Sequence, residues 1–349
     1  MKRNIGIKIC TLIAALLMAA TALFGCEKTT VPDKPEPAPT PDEPSKTATL
    51  STEEVAAIGE RLAVEVARVP DRTGTGIIIA ADDESVTVVT CYHVAEYDAA
   101  HAEFRFNGDS EFIGGRENVE CVGYSAQFDV AIFKVKKANY KLGEVKRSSG
   151  LRKKGAAIMV TGNAYGQGIA AFDGVVSLPE SVASIDNVLR PVMRITAAGN
   201  PGNSGAPVLG SDGSLVGMVL GRRAAREDEN IQPEGMTYVL PIAIIDALCE
   251  NAAAGEGNVA YTSVKFEWGD ITENNVAKRN AVVTLGSGEK ATRIRYESGA
   301  FYKKTSDGNE AKIEKINGKD CPTDFISFVA EAVRKPAVEL TIGGATENV

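Results

Sequence analysis

Between residues 74 and 221 the chain is a series of short β-branched and aliphatic runs, each ended by a glycine-rich or acidic turn. The runs fall at 76–80, 85–90, 130–135, 156–161, 174–178, 189–195, 206–209 and 214–220. Segments this short are below helical length and have strand composition. Ala81-Asp-Asp-Glu84 and Asp212-Gly213 supply turn residues between neighbouring runs. Many short strands joined by tight turns build an antiparallel barrel or a sandwich, so an all-β fold is expected over this stretch. A further strand is expected at 236–240, then a helix over 241–250 with Pro241 in its first turn. Upstream, Ser51-Thr-Glu-Glu54 has the form of a capping box. It predicts a short helix, or a helix feeding a strand, over 55–69.

The N-terminus lies outside this pattern. Lys2, Arg3 and Lys8 precede an apolar run over 9–24 that ends in Leu23-Phe-Gly-Cys26. A basic start followed by an apolar stretch is a secretory signal, and the run is short for a bilayer span. The last four residues resemble the lipobox of bacterial lipoproteins. Cys26 is then the lipidated first residue of a protein exported across the inner membrane and held in the bacterial cell envelope. Losing 1–25 removes three basic residues and no acidic ones, taking the net charge from −8 to −11. That acidity argues against nucleic acid as a partner. Residues 26–50 include Pro-Glu-Pro-Ala-Pro-Thr-Pro at 35–41 and read as an extended, semi-rigid tether. Four cysteines remain in the mature chain: Cys91, Cys121, Cys249 and Cys321. Disulfides in one of three pairings and buried free thiols both fit.

The chemistry concentrates at three places. Thr90-Cys-Tyr-His-Val-Ala95 puts His93 at the end of an apolar strand. Phe128-Asp-Val-Ala-Ile-Phe-Lys-Val135 puts Asp129 at the start of another. Gly199-Asn-Pro-Gly-Asn-Ser-Gly205 surrounds Ser204 with glycines. A serine hydroxyl is a poor nucleophile unless an imidazole takes its proton and a carboxylate orients that imidazole. A glycine-rich turn can aim successive backbone N–H groups at one point, and Gly202 and Ser204 are the candidate oxyanion donors. The only other histidine, His101, lies in a polar loop and has no expected role. Two histidines and no C-x-x-C pattern exclude a His-rich metal centre and speak against a zinc site, so no cofactor is expected.

Taken together these stretches resemble the trypsin-like serine proteases, and among them the HtrA/Deg-type bacterial enzymes. The resemblance covers roughly residues 70–250. It is carried by Gly74-Thr-Gly-Ile77, the His93 and Asp129 stretches, Val160-Thr-Gly-Asn163, Asp173-Gly-Val-Val-Ser177 and Ala197-Ala-Gly-Asn-Pro-Gly-Asn-Ser-Gly205. It implies two six-stranded β-barrels with a cleft between them, with His93 as general base, Asp129 as its orienter and Ser204 as nucleophile. It also implies unfolded or exposed peptide segments as substrates, a role in envelope protein quality control, and room for a homo-oligomer, although no segment reads as a trimer interface. Ala198, six residues before Ser204, would form the base of the primary pocket and favour a small or medium apolar side chain. Val219, Leu220 and Gly221 would pair their backbone with an extended substrate. Three positions depart from the family pattern: Tyr92, Ala164 and Ala206. Tyr92 is expected to narrow the cleft. A protease fold kept as a silent peptide-binding or chaperone module is the alternative reading.

The domains expected are 1–25, 26–50, 51–255 and 256–349, with Asn251-Ala-Ala-Ala-Gly-Glu-Gly257 as the last boundary. The final unit has an amphipathic helix at about 323–334 between strand-like runs. It resembles the second half of a PDZ domain without the carboxylate-binding loop of the first half. A small α+β packing domain is the other reading.

Overall fold

The computed structural model describes residues 49–68, 72–222, 234–253, 264–273, 276–335 and 337–349. The expected signal, Cys26 and nearly all of the tether lie outside the described residues, as does most of the boundary expected at 251–257. Among the described residues no helix is long and apolar enough to cross a membrane.

The capping box forms. The Ser51 hydroxyl accepts the Glu54 N–H at 3.2 Å, and the Glu54 carboxylate accepts the Ser51 N–H at 2.8 Å. Helix α1 (Thr52–Leu62) follows and buries Val55, Gly59 and Leu62. Gly59 must be glycine there, because a Cβ would lie 2.1 Å from Thr161 Oγ1. The helix stops at Ala63, whose extended backbone begins a strand, as the helix-to-strand expectation has it.

Six strands make the first sheet: β1 (Ala63–Arg68), β2 (Arg72–Ala81), β3 (Ser85–Thr90), β4 (Ala102–Phe106), β5 (Val119–Ser125) and β6 (Val130–Lys136). Their order is β4-β1-β2-β3-β6-β5, every pair antiparallel. Six more close a barrel in the order β10-β11-β12-β9-β8-β7: β7 (Ala157–Gly162), β8 (Ala170–Ile185), β9 (Val188–Ile195), β10 (Pro207–Gly210), β11 (Leu215–Arg222) and β12 (Thr237–Pro241). The fold is the expected trypsin-like pair of six-stranded β units. β4 and β5 were not expected from the sequence. They are the edge strands of the first sheet, and β4 alternates buried Ala102, Phe104 and Phe106 with more exposed Glu103 and Arg105. An edge strand with one wet face carries too few apolar residues to stand out as a run.

Helix α2 (Tyr92–Ala95) is a single turn after β3, and α3 (Ile242–Ala253) follows Pro241. Beyond it lie a five-stranded meander and a four-stranded sheet. The meander is β13 (Val264–Glu273), β14 (Val276–Leu285), β15 (Thr292–Glu297), β16 (Ala300–Lys304) and β17 (Glu310–Lys312). The second sheet is β18 (Lys315–Ile316), β19 (Lys319–Asp320), β20 (Glu339–Ile342) and β21 (Ala345–Asn348). Helix α4 (Phe325–Val333) is capped by Asp324, which accepts the Ser327 N–H at 2.7 Å. This is an α+β arrangement compatible with a PDZ-like domain. Only two residues of α4, Ser327 and Glu331, escape burial, because the helix packs on α3 as well as on the sheets. The cysteine alternatives resolve toward thiols: Cys91, Cys121, Cys249 and Cys321 are all free.

Candidate active site

β3 delivers His93 and the loop before β6 delivers Asp129. Asp129 takes a left-handed backbone at φ +58, which Asp tolerates better than most residues. That turn folds its carboxylate back onto α2. Oδ1 accepts the His93 backbone N–H at 2.9 Å and Oδ2 lies 2.8 Å from His93 Nδ1. The Asp129 carbonyl also accepts the Tyr92 N–H at 3.1 Å. Asp129 is buried, at 1% exposure, and a buried carboxylate needs such partners. A carboxylate only accepts, so a neutral imidazole here keeps its proton on Nδ1 and leaves Nε2 free as a base.

The second barrel delivers Ser204. Gly202 and Gly205 both have positive φ, +93 and +87, and neither has room for a side chain. A Cβ on Gly202 would lie 2.1 Å from the Asn163 carbonyl, and one on Gly205 would lie 1.8 Å from the Thr75 carbonyl. Asn203 N–H closes a turn onto the Asn200 carbonyl at 3.0 Å, and Gly205 N–H bonds the Val219 carbonyl at 2.8 Å. The N–H groups of Gly202 and Ser204 donate to no acceptor among the described residues. Two unspent donors therefore flank the serine, as an oxyanion site requires.

Thr75 on β2 ties this loop to the first sheet. Its N–H bonds the Ser204 carbonyl at 2.8 Å and its hydroxyl donates to the Gly202 carbonyl at 2.8 Å. The same hydroxyl accepts the Asn163 N–H at 2.9 Å. Tyr165, at φ +56, donates its N–H to the Pro201 carbonyl at 2.7 Å. Sequence reasoning missed both residues. The signal available for Tyr165 was an aromatic inside the glycine-flanked turn 162–168.

His93, Gly202 and Ser204 line one open cleft of about 600 Å³, together with Arg72, Thr73, Val94, Tyr165 and Pro201. Arg72 bonds the His93 carbonyl at 2.6 Å and Glu96 at 3.1 Å, fixing one wall. Among the described residues no hydrogen bond joins Ser204 to His93. The Ser204 hydroxyl donates instead to the Leu220 carbonyl at 3.3 Å, a long contact for a hydroxyl donor.

The expected specificity residues do not line this cleft. Ala198 is exposed, and its carbonyl accepts from Asn203 Nδ2 at 3.0 Å. The Val219 and Leu220 side chains are core, at 0% and 1% exposure, so only their backbone can meet a substrate. Gly221 has open space where a side chain would be. On the β10 side, β11 pairs only through Met218, leaving Leu220 to Arg222 without a strand partner on that edge. Tyr92 does not narrow the cleft. Its ring turns away and stacks with Tyr124, at 5.5 Å between centroids, and with Tyr97, at 6.5 Å.

Cys91, His93 and Asp129 hold their potential ligand atoms within 4.8 Å of one another. The thiol is a poor ligand as it stands. Its Sγ–H donates to the Val219 carbonyl at 3.2 Å, and burial first, then the Asp129 charge, push its pKa well up. Hydrogen bonds hold all three groups, the thiol donating to the Val219 carbonyl and the Asp129 carboxylate engaging His93.

A six-stranded β-sheet and a closed six-stranded β-barrel, with a His–Asp pair and a serine loop at one cleft, have the arrangement of the trypsin-like fold class. Residues 74–218, under half of the chain, match the family model of the trypsin-like peptidase domain. Its homologues are HtrA-like serine proteases. One from Staphylococcus aureus strain MRSA252 is 24% identical over 226 residues, 62% of this chain and 28% of its own length. That of strain USA300 gives the same figures. The chain thus spans 28% of the length of these curated relatives. A crystal structure of Rv3671c from Mycobacterium tuberculosis H37Rv, in an inactive form, is 21% identical with a TM-score of 0.47 and covers 63% of this chain and 98% of that one.

Proposed function

We propose that the protein is a serine endopeptidase that cleaves unfolded or exposed peptide segments through an acyl-enzyme. His93 Nε2 takes the Ser204 proton, Asp129 holds the imidazole tautomer, and Ser204 Oγ attacks the acyl carbon. The negative charge that develops on the carbonyl oxygen is met by the N–H groups of Gly202 and Ser204. His93 then returns the proton to the leaving amine, and water repeats the sequence to release the acid. No metal or organic cofactor enters the scheme. The observation that carries this reading is the Asp129-bound His93 sharing a cleft with a serine flanked by two unspent N–H donors. The wider setting we propose is an exported protein anchored in the bacterial cell envelope through lipidated Cys26, acting in protein quality control.

A second reading, a silent peptide-binding module, is favoured by the Ser204–Leu220 contact, which holds the hydroxyl away from His93. The Leu220 carbonyl lies on the free edge of β11, where an extended substrate would donate an N–H. Substrate competing for that carbonyl would release the hydroxyl, and a 3.3 Å bond is weak enough to lose. The two readings part on one experiment. Residues 27–349 are treated with a fluorophosphonate probe and with casein, beside Ser204→Ala. Labelling and cleavage that vanish in the variant support the peptidase. Peptide binding without either supports the module.

A further inference from the structure

Positive charge is concentrated in one part of this acidic chain. Residues 134–154 hold nine Lys or Arg and a single acidic residue, Glu144, in a protein of net charge −8. From Lys137 onward the backbone crosses from β6 to β7 without regular structure, yet it is pinned. Ser148 N–H bonds the Leu215 carbonyl at 2.9 Å and Leu215 N–H bonds the Lys146 carbonyl at 2.8 Å. Two adjoining open clefts share Arg147. One is lined by Arg61, Lys141 and Arg147, the other by Lys146, Arg147 and Arg152. Neither has a residue in common with the cleft that holds His93 and Ser204.

Local carboxylates neutralise only part of this charge. Asp212 takes Arg152 at 2.7 Å and Lys146 at 3.6 Å, Asp246 takes Arg147 at 3.0 Å, Asp82 takes Lys134 at 3.3 Å and Asp109 takes Lys137 at 2.6 Å. Arg61, Lys141, Lys153 and Lys154 are exposed and have no ion-pair partner among the described residues. The chain enters the folded part at this same place, since Leu50 N–H bonds the Ser211 carbonyl at 2.9 Å, one residue from Asp212.

We propose that this cationic face docks on the anionic headgroups of a lipid bilayer. The proposal deepens the lipid-anchored reading, on which it rests for the tether but not for the affinity of the face. Charge decides which face meets the bilayer. Tethering also raises the effective concentration of the face at the surface, so a weak electrostatic contact suffices. A planar bilayer touches one side of the protein, and the acidic remainder is repelled and turned outward. A nucleic acid that wrapped further would meet that acidic surface.

The test uses residues 27–349, which carry no acyl chain and contain every described residue. Its partition onto phosphatidylglycerol/phosphatidylcholine vesicles is compared with that onto phosphatidylcholine alone, across salt concentrations. Binding is expected only to the anionic vesicles, falling steeply with salt. Each cation removed should weaken it about five-fold, so Arg61→Gln/Lys141→Gln/Lys153→Gln/Lys154→Gln should lose several hundred-fold with an unchanged melting curve. No binding, equal binding to neutral vesicles, an unaffected quadruple variant, or displacement of vesicles by duplex DNA would each overturn the proposal. Acylation is read separately, from the mass of the N-terminal peptide of the membrane-extracted protein. Its absence would sink the anchor and leave the vesicle result standing.

Discussion

Replacing Thr75 with Val keeps the shape of a buried residue and deletes one hydroxyl. That hydroxyl donates to the Gly202 carbonyl at 2.8 Å and accepts from the Asn163 N–H at 2.9 Å. Thr75 itself has 0% exposure, so no water replaces the lost bonds. Two buried backbone groups are orphaned, at about 1–3 kcal/mol each, for a total of roughly 2–6 kcal/mol of stability. Gly202 also bears one of the two proposed oxyanion N–H groups. Its peptide is held by the Thr75 hydroxyl on one side and by the Tyr165 N–H, through the Pro201 carbonyl, on the other. Releasing one of two restraints on a donor whose complete loss costs about 10²–10³ in kcat should lower kcat on the order of 10²-fold. KM should change little, since the donor acts where charge develops. The assay is steady-state cleavage of a chromogenic peptide, with melting curves alongside. Thr75→Ser restores the hydroxyl and should recover kcat to within a few-fold, though it loses a buried methyl worth about 1 kcal/mol. A Thr75→Val enzyme that melts early but keeps kcat within about two-fold would refute the positioning role. So would a Ser variant as impaired as Val, because that would assign the effect to the methyl group.

Other perturbations follow from the same contacts. Asp129→Asn leaves the hydrogen-bonding shape but favours the wrong imidazole tautomer, and kcat should fall on the order of 10⁴-fold without unfolding, read by peptide cleavage and circular dichroism. Arg190, 4% exposed, donates to the carbonyls of Ala126, Gln127 and Ile185 at 3.1, 3.0 and 2.5 Å. Arg190→Leu strands three carbonyls, two of them just ahead of Asp129, and should cost about 3 kcal/mol or more by chemical denaturation, with kcat falling as that loop loosens. Burial pushes the Asp212 pKa up, but hydrogen bonds from Arg152 and Ser214 outweigh it and hold the group at about 2 in place of 3.8. A depressed folded value means the stabilisation is present above the unfolded value and is lost as pH falls through about 2. On this basis about 2 kcal/mol should disappear between roughly pH 5 and 2, and Arg152→Gln should flatten that part of the stability–pH curve.

What the sequence made legible follows physical strength. Helix α1 was readable because its capping box is local, and Ser51 and Glu54 satisfy each other without help from the rest of the fold. The strands buried on both faces, β3, β6 and β11, were readable because burial forces continuous aliphatic runs. His93, Asp129 and Ser204 stood out in the sequence by their flanking residues, and the fold brings Asp129 to His93 and Ser204 to the same cleft. Thr75 was not, because its value lies in contacts with residues 88 and 127 positions away. The orientation of Tyr92 was hidden for the same reason, since Tyr97 and Tyr124 draw its ring away from the cleft. Val219 and Leu220 were named for the right edge, but a strand's period alone does not say that both side chains end in packed cores.

The C-terminal layer bears on the site through one ring. Phe128, which immediately precedes Asp129, is fully buried, and its edge meets Phe266 of β13 at 6.1 Å between centroids. Phe266 in turn meets Phe325 of α4 at 6.0 Å. A single hydrophobic cluster therefore runs from the first sheet through α3 into the C-terminal sheets. Glu180 of β8 reinforces it by accepting the Phe325 N–H at 3.0 Å and the Tyr296 hydroxyl at 3.3 Å. The residue that orients His93 thus stands on a loop held from two sides, by the Arg190 guanidinium and by aromatic rings contributed after residue 263. Cutting the chain after α3 would expose Phe128 to water and remove the packing that fixes the Asp129 backbone at its left-handed φ. In this protein the first sheet and the C-terminal sheets share a core, and the geometry of the His93–Asp129 pair depends on both.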